Sequence, residues 1–191
     1  MSSFEKIIDR IGAKQGYGTC SYNVIPGTRA ADCGSDFEKI VSYFAVKRQK
    51  NKYNRKSDVC PVDLKPYLPW ISMFKVVYDK NNTFQDAIVT LQGSDACGAY
   101  GDCTGGLITE VHPPLIRDRV LTSMRAAIDA EASVIGCSEE RNMTPPHVRV
   151  NIIYIPLSVN KTHVTHFFAY MRLDKLALLV DDVDKLSDLK I

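Results

Sequence analysis

Apolar residues recur along this chain with two periods, one helical and one of strands. Phe37, Ile40, Val41 and Phe44 stand at i, i+3, i+4 and i+7, which gathers four apolar side chains on one face of a helix. The spacing predicts a helix over 35–50, opened by the capping-box pair Ser35 and Glu38. A shorter copy of the pattern precedes it. Phe4, Ile7, Ile8 and Ile11 follow Ser2 and Glu5 and stop at Gly12, which predicts an amphipathic helix docked on the body. The longest helical pattern, Val120, Leu121, Met124, Ile128 and Ala132, follows Pro113 and Pro114 and predicts a helix over 115–135 ended by Gly136.

Elsewhere the period is two. Over 70–79, Trp70, Phe74, Val76 and Tyr78 alternate with Ile71, Met73, Lys75 and Val77, so both faces are largely apolar and the strand is expected in the middle of its sheet. Asp79, Lys80, Asn81 and Asn82 form a hairpin turn into a return strand over 83–92. A second hairpin is expected from a strand over 147–155, with Val148, Val150, Ile152 and Tyr154 inward, and an aromatic-rich strand over 162–173. Shorter strands are expected over 17–25 and 107–111. Residues 93–106 read as a long exposed glycine-rich loop, and Leu176, Leu179, Val180 and Val183 as a terminal helix or strand.

These elements predict an α+β domain: an antiparallel sheet built from hairpins at about 70–92 and 147–173, packed with three or four helices. Strict βαβ alternation is missing, which argues against a doubly wound parallel sheet. The chain is expected to form a single domain over 1–191, with 1–34 a helix plus flexible arm. Its 191 residues, 45% hydrophobic and 24% charged, can bury a core without disulfides.

Six cysteines (Cys20, Cys33, Cys60, Cys97, Cys103, Cys137) and three Asn-x-Thr sequons (Asn81, Asn142, Asn160) would suit an exported protein. The start carries Glu5 and Asp9 and no apolar stretch of export type. Reduced thiols, unused sequons and an intracellular location, cytoplasm or nucleus, without a transmembrane segment are therefore expected.

Charge changes the picture most. The net charge is only +2, yet ten consecutive residues, 47–56, hold Lys47, Arg48, Lys50, Lys52, Arg55 and Lys56 and no acid. Residues 1–68 are positive overall and the last eighteen are negative. A concentrated cationic run suggests a polyanionic partner, RNA or ribonucleoprotein, or an anionic membrane surface. Tyr53 lies within the run, where a ring can stack on a base.

Other chemistry finds little purchase. The 93–106 segment lacks both the phosphate-loop lysine and the dinucleotide glycine spacing, and Asp95 and Asp102 would repel phosphate. Cys97 and Cys103 are six apart and His163 and His166 three apart on an expected strand, spacings that do not suit zinc, so neither metal nor cofactor is expected. The expectation is a non-enzymatic structural or interaction protein, matrix-like and viral in manner, that self-associates and uses Lys47, Arg48, Lys50, Lys52, Tyr53, Arg55 and Lys56 to contact its partner. The alternatives are a nucleic-acid-binding accessory factor of the movement or silencing-suppressor type, and a cysteine hydrolase built on Cys97 or Cys103, the latter with His112 as base.

Overall fold

The computed structural model describes residues 20–140, 148–159 and 162–175. The helix expected at 1–12, a chain break expected at 142–146 and the pattern beyond 176 lie outside these residues. In chain order the elements are β1 (Cys20–Pro26), a 3₁₀-helix (Gly27–Cys33), α1 (Ser35–Arg48), two 3₁₀ turns (Lys56–Asp58 and Lys65–Trp70), β2 (Ile71–Tyr78), β3 (Phe84–Gln92), α2 (Ser94–Tyr100), α3 (Ile108–Val111), α4 (Pro114–Asp129), β4 (Val134–Glu140), β5 (Val148–Leu157) and β6 (His166–Lys175). The fold is α+β. Its strands form one antiparallel sheet in the order β1-β4-β5-β6-β2-β3.

The two hairpins join where β6 pairs with β2, from Ile71 opposite Tyr170 to Lys75 opposite His166. This seam puts β2 inside the sheet, as its two apolar faces require. β5 and β6 pair over ten positions, and residues 153–157 and 167–171 are buried on both sides. On one face Tyr154, Phe167 and Ala169 join Phe74, Val76 and Val89 beneath Val120, Met124 and Ala127 of α4. On the other, Ile153, Ile155, Phe168 and Tyr170 meet Phe37, Ile40 and Phe44 of α1. Aromatic contacts fix that second layer: Phe37 lies edge-on to Tyr170 at 5.3 Å and Phe44 is 4.8 Å from Phe168, centroid to centroid. The sheet is therefore sandwiched between helices. The set expected to face inward on β5 is only half of what is buried there, because Ile153, Ile155 and Leu157 are buried too.

Four local expectations need correction. α1 begins at Ser35 without a side-chain cap; the residue before it, Gly34, turns the chain at φ 124°, where a side chain would be strained, and Asp36 and Glu38 complement the helix dipole instead. Residues 94–100 of the glycine-rich segment are helical rather than loop, and Ala96 and Cys103 are buried. Residues 108–111 form one helical turn rather than a strand, although Leu107 bridges to Ile88.

The long helix stops at Asp129, not at 135. The chain reverses through Glu131 at φ 52°, and Val134, Ile135 and Gly136 belong to β4. Gly136 is thus a strand residue at a close approach. A Cβ there would lie 2.5 Å from the Tyr22 hydroxyl and 2.9 Å from Ser123 Oγ. Gly136→Ala should lower unfolding stability by about 1–3 kcal/mol through overpacking, read as a shifted urea midpoint with an unchanged slope. A neutral effect would contradict this packing.

Candidate nucleic-acid interface

The basic run is built on the end of α1 and the segment that follows. After Arg48 the helix ends at Gln49, whose φ of 51° breaks its path, and the Asn51 amide and side chain both donate to the Arg48 carbonyl. Asn54 then pins the segment to the body. Its buried Nδ2 donates to the Phe44 carbonyl at 2.7 Å, its own carbonyl accepts from Ser158 N–H at 2.8 Å, and it bridges to Leu157 at the end of β5. A buried amide so satisfied fixes the path of the segment that carries the charges.

That anchoring sorts the seven residues named from the sequence. Arg48, Lys50, Arg55 and Lys56 are exposed and carry no ion pair among the described residues. Lys47 and Lys52 are exposed but engaged. Lys47 Nζ lies 3.2 Å from Asp63 and sits over the Tyr43 ring, and Lys52 meets Glu131 and sits over the Tyr53 ring. The hydrogen bond to each carboxylate is the main reason the two ammonium groups are held above their ordinary pKa. Tyr53 is the correction in this set. It is 5% exposed and joins the core on the α4 side, so its ring supports the segment from inside and is not presented to stack on a base.

The sheet adds two residues that lie far from the run in sequence. Lys75 of β2 is exposed and stands opposite His166 of β6. Burial, and then the charges of Lys56 and Lys75, hold the His166 pKa below its ordinary value. Lys56, Lys75 and His166 therefore share one electrostatic neighbourhood. Lys75 gave no signal in the sequence because its neighbours along the chain are apolar strand residues. Beside the run lies a groove of about 280 Å³, with Arg48 and Lys52 at its rim, Phe44, Tyr53 and Pro156 in its walls and Glu131 across from them.

The residues considered for other chemistry are placed differently. Among the described residues no group of three or more His, Cys, Asp or Glu side chains is gathered to hold a metal ion. Cys97 and Cys103 are free thiols. Cys103 and His112 do line one small interior space, but the Cys103 thiol donates to the Gly101 and Tyr100 carbonyls and makes no hydrogen bond to His112. Burial, and then Asp102, push the Cys103 thiol up, while burial pushes His112 down. A thiol held protonated is a poor nucleophile. The Cys33 and Cys137 sulfurs lie 3.9 Å apart, with Cys137 pushed up to about 12 by burial and by Cys33.

No family model matches this chain, and no curated protein matches it. Among solved structures, an RNA-binding light-oxygen-voltage receptor is similar at 13% identity and a TM-score of 0.34, over 89% of this chain and 43% of that one. The chain thus spans less than half the length of that receptor, and a likeness at this level carries no argument. No described helix is long and apolar enough to cross a membrane.

The thiol environments make a direct prediction. With iodoacetamide on the native protein at mildly alkaline pH, peptide mapping should find Cys103 and Cys137 modified late, since both are held as thiols by burial. Rapid, selective modification of Cys97 or Cys103 would favour the hydrolase alternative.

Proposed function

We propose that this protein is a non-enzymatic nucleic-acid-binding domain that takes the phosphates of a single strand on the cationic rim of Arg48, Lys50, Arg55 and Lys56, extended by Lys75. The observation that carries this reading is the anchoring of Asn54, which fixes the path of the segment on which Lys50, Arg55 and Lys56 stand exposed after Arg48 at the end of α1, with no ion pair to any of the four among the described residues. Preorganised cations lose less freedom on binding than cations on a loose tail. Neutralising several phosphates together releases counterions, which supplies most of the affinity of non-specific binding.

A nucleic acid suits the surface better than a bilayer does. Arg48 and Lys52 line a concave groove with Phe44, Ile155 and Pro156 in its walls, a shape that suits a strand better than a flat headgroup layer. Lys47 and Lys52 take a smaller part, because a phosphate must first compete with Asp63 or Glu131 for each. The non-enzymatic part rests on the chemistry of the thiols: Cys103 is buried and protonated rather than activated. Self-association and a matrix-like role would add avidity to a weak single site.

The test is anisotropy of a labelled oligouridylate with the full chain against salt. Four contacts to a single strand predict a slope of about −3 in log K against log salt, and roughly a thousandfold weaker binding near 0.1 M salt when Arg48, Lys50, Arg55 and Lys56 are all changed to Gln. Changing Lys47 and Lys52 together should cost far less. Salt-independent binding, an unaffected quadruple variant, or capture by phosphatidylserine vesicles with no binding to RNA would each defeat the reading.

A pH dependence follows from His166. In the free protein its pKa is depressed, so the ring is neutral at pH 7. A bound phosphate offsets Lys56 and Lys75 and favours the protonated ring, so binding takes up a proton. Affinity should rise as pH falls from neutrality and level off once it is below the depressed value. A His166→Gln variant should flatten that rise, and a rise that persists in the variant would place His166 outside the footprint.

A further inference from the structure

Two thiols meet on the α1 side of the sheet. Cys33 is the last residue of the 3₁₀-helix that follows β1, and Cys137 stands in β4 between Asn23 of β1 and Asn151 of β5. The chain separates them by 104 positions, yet their sulfurs lie 3.9 Å apart. Both pack against the cluster that α1 buries, and neither is fully buried. Closeness in sequence does not produce such a contact. Cys97 and Cys103 turn instead to backbone carbonyls, Cys97 to that of Gln92 at 3.8 Å and Cys103 to that of Gly101 at 3.6 Å.

A disulfide holds its sulfurs about 2.05 Å apart, so this pair must close by roughly 2 Å. The movement can come from the Cys33 side. Cys33 ends a 3₁₀-helix whose path is already broken at Arg29, and the next residue, Gly34, holds φ 124°. Glycine has a freedom at such a joint that residues with a Cβ lack. Cys137 is held by ladder pairing on both sides and presents a fixed target.

The two sulfurs are not equivalent. The hydrogen bond between them favours charge on Cys33 and disfavours it on Cys137. Burial raises both thiols, and Arg29 and Arg149 act on both in the opposite direction. Arg29 is itself paired with Asp32 at 2.7 Å, and Asp32 opposes a charge on Cys33. Cys33 is therefore the attacking thiol and Cys137 the resolving one. Attack is slow at neutral pH and quickens as the thiols ionise.

We propose that Cys33 and Cys137 are a reversible redox pair, closed to a disulfide by a small disulfide oxidant of the glutathione type and opened again by thiols, which staples the start of α1 to β4. In the first step the Cys33 thiolate attacks the oxidant: a mixed disulfide forms and one small thiol leaves. In the second, Cys137 gives up its proton and attacks the Cys33 sulfur, and the second small thiol leaves. Two electrons pass from the protein to the oxidant, and the two protein protons end on the released thiols. The bond closes a loop of 104 positions, so it restricts the unfolded chain far more than the folded one. The pair lies at the opposite end of the 14-residue α1 from Arg48, and rests on no part of the nucleic-acid reading.

The test equilibrates the full chain without air in mixtures of reduced and oxidised glutathione at mildly alkaline pH. Samples are quenched in acid and mapped by mass spectrometry without reduction. The expected main product is a linked Cys33–Cys137 peptide, lighter than its two thiol peptides by two hydrogens and lost on adding dithiothreitol. Its equilibrium constant should be about a hundredfold larger in the native chain than in concentrated urea. The oxidised protein should melt at least about 5 °C above the reduced one. Cys33→Ser should abolish both the linked peptide and the rise in melting temperature. If that variant does not fold, as judged by circular dichroism, Cys137→Ala decides. A glutathione adduct on Cys33 as the main product, a link from either residue to another cysteine, a constant no larger than in urea, or a rise that survives in the variant would overturn the proposal.

Discussion

The pairing of β5 with β6, apolar on both faces, is the constraint from which the rest of the architecture follows. Ten residue pairs place Ile153, Phe168 and Tyr170 on one side and Tyr154, Phe167 and Ala169 on the other, and the five-residue stretches 153–157 and 167–171 hold no charged side chain. Each large side chain so buried contributes about 1.5–3 kcal/mol, and leaving either face bare would forfeit several of these. One helical layer cannot cover both sides. The chain therefore places α1 on one face and the α2–α4 segment on the other, and closes the sheet around them with the β2–β3 hairpin and β1.

Each layer then creates a surface with its own chemistry. α1 covers its face with Phe37, Ile40 and Phe44, one apolar residue per turn, and must end near the edge of the sheet. The chain has to cross from that end toward the 3₁₀ turns, and Asn54 makes the crossing rigid by satisfying helix and strand backbone together. The cations are thus ordered by the demand for covering apolar surface, while Tyr53 is drawn inward by the same demand. On the other face the cover is less uniform. Short α2 and the start of α4 leave a gap over β4 and β5, walled by Tyr22, Tyr100 and Tyr154 together with Ile116, Val120 and Ile152.

What the sequence makes legible divides along the same line. β2 and β3 can be read directly, because period-two alternation and an Asp-Lys-Asn-Asn turn agree, and Asp79 indeed caps the turn through Asn81 and Thr83 N–H. α1 is legible to within two residues at its end, since its four apolar positions coincide with the face it buries. The end of α4 is not, because Ala132, Val134 and Ile135 prolong an apolar pattern across a reversal made by a single backbone angle at Glu131. α2 is hidden for the opposite reason. Ser94, Asp95 and Gly98 carry little helical tendency, and the turn is held by packing of Ala96 that local reading cannot see.

The candidate interface was legible as a concentration of charge and illegible as a surface. Counting cations treats the six as equal, but Asp63 and Glu131 come from sixteen and seventy-nine positions away to engage Lys47 and Lys52. Lys75, one cation inside a strand, carries no weight in such a count, yet strand pairing sets it beside His166 within reach of the Lys56 charge. Tertiary structure thus exchanges two of the original cations for a lysine and a titratable ring. A run of charge on a flexible segment would respond to salt alone. His166 is held neutral first by burial and then by Lys56 and Lys75, so the pH response expected of it would belong to the fold rather than to the run.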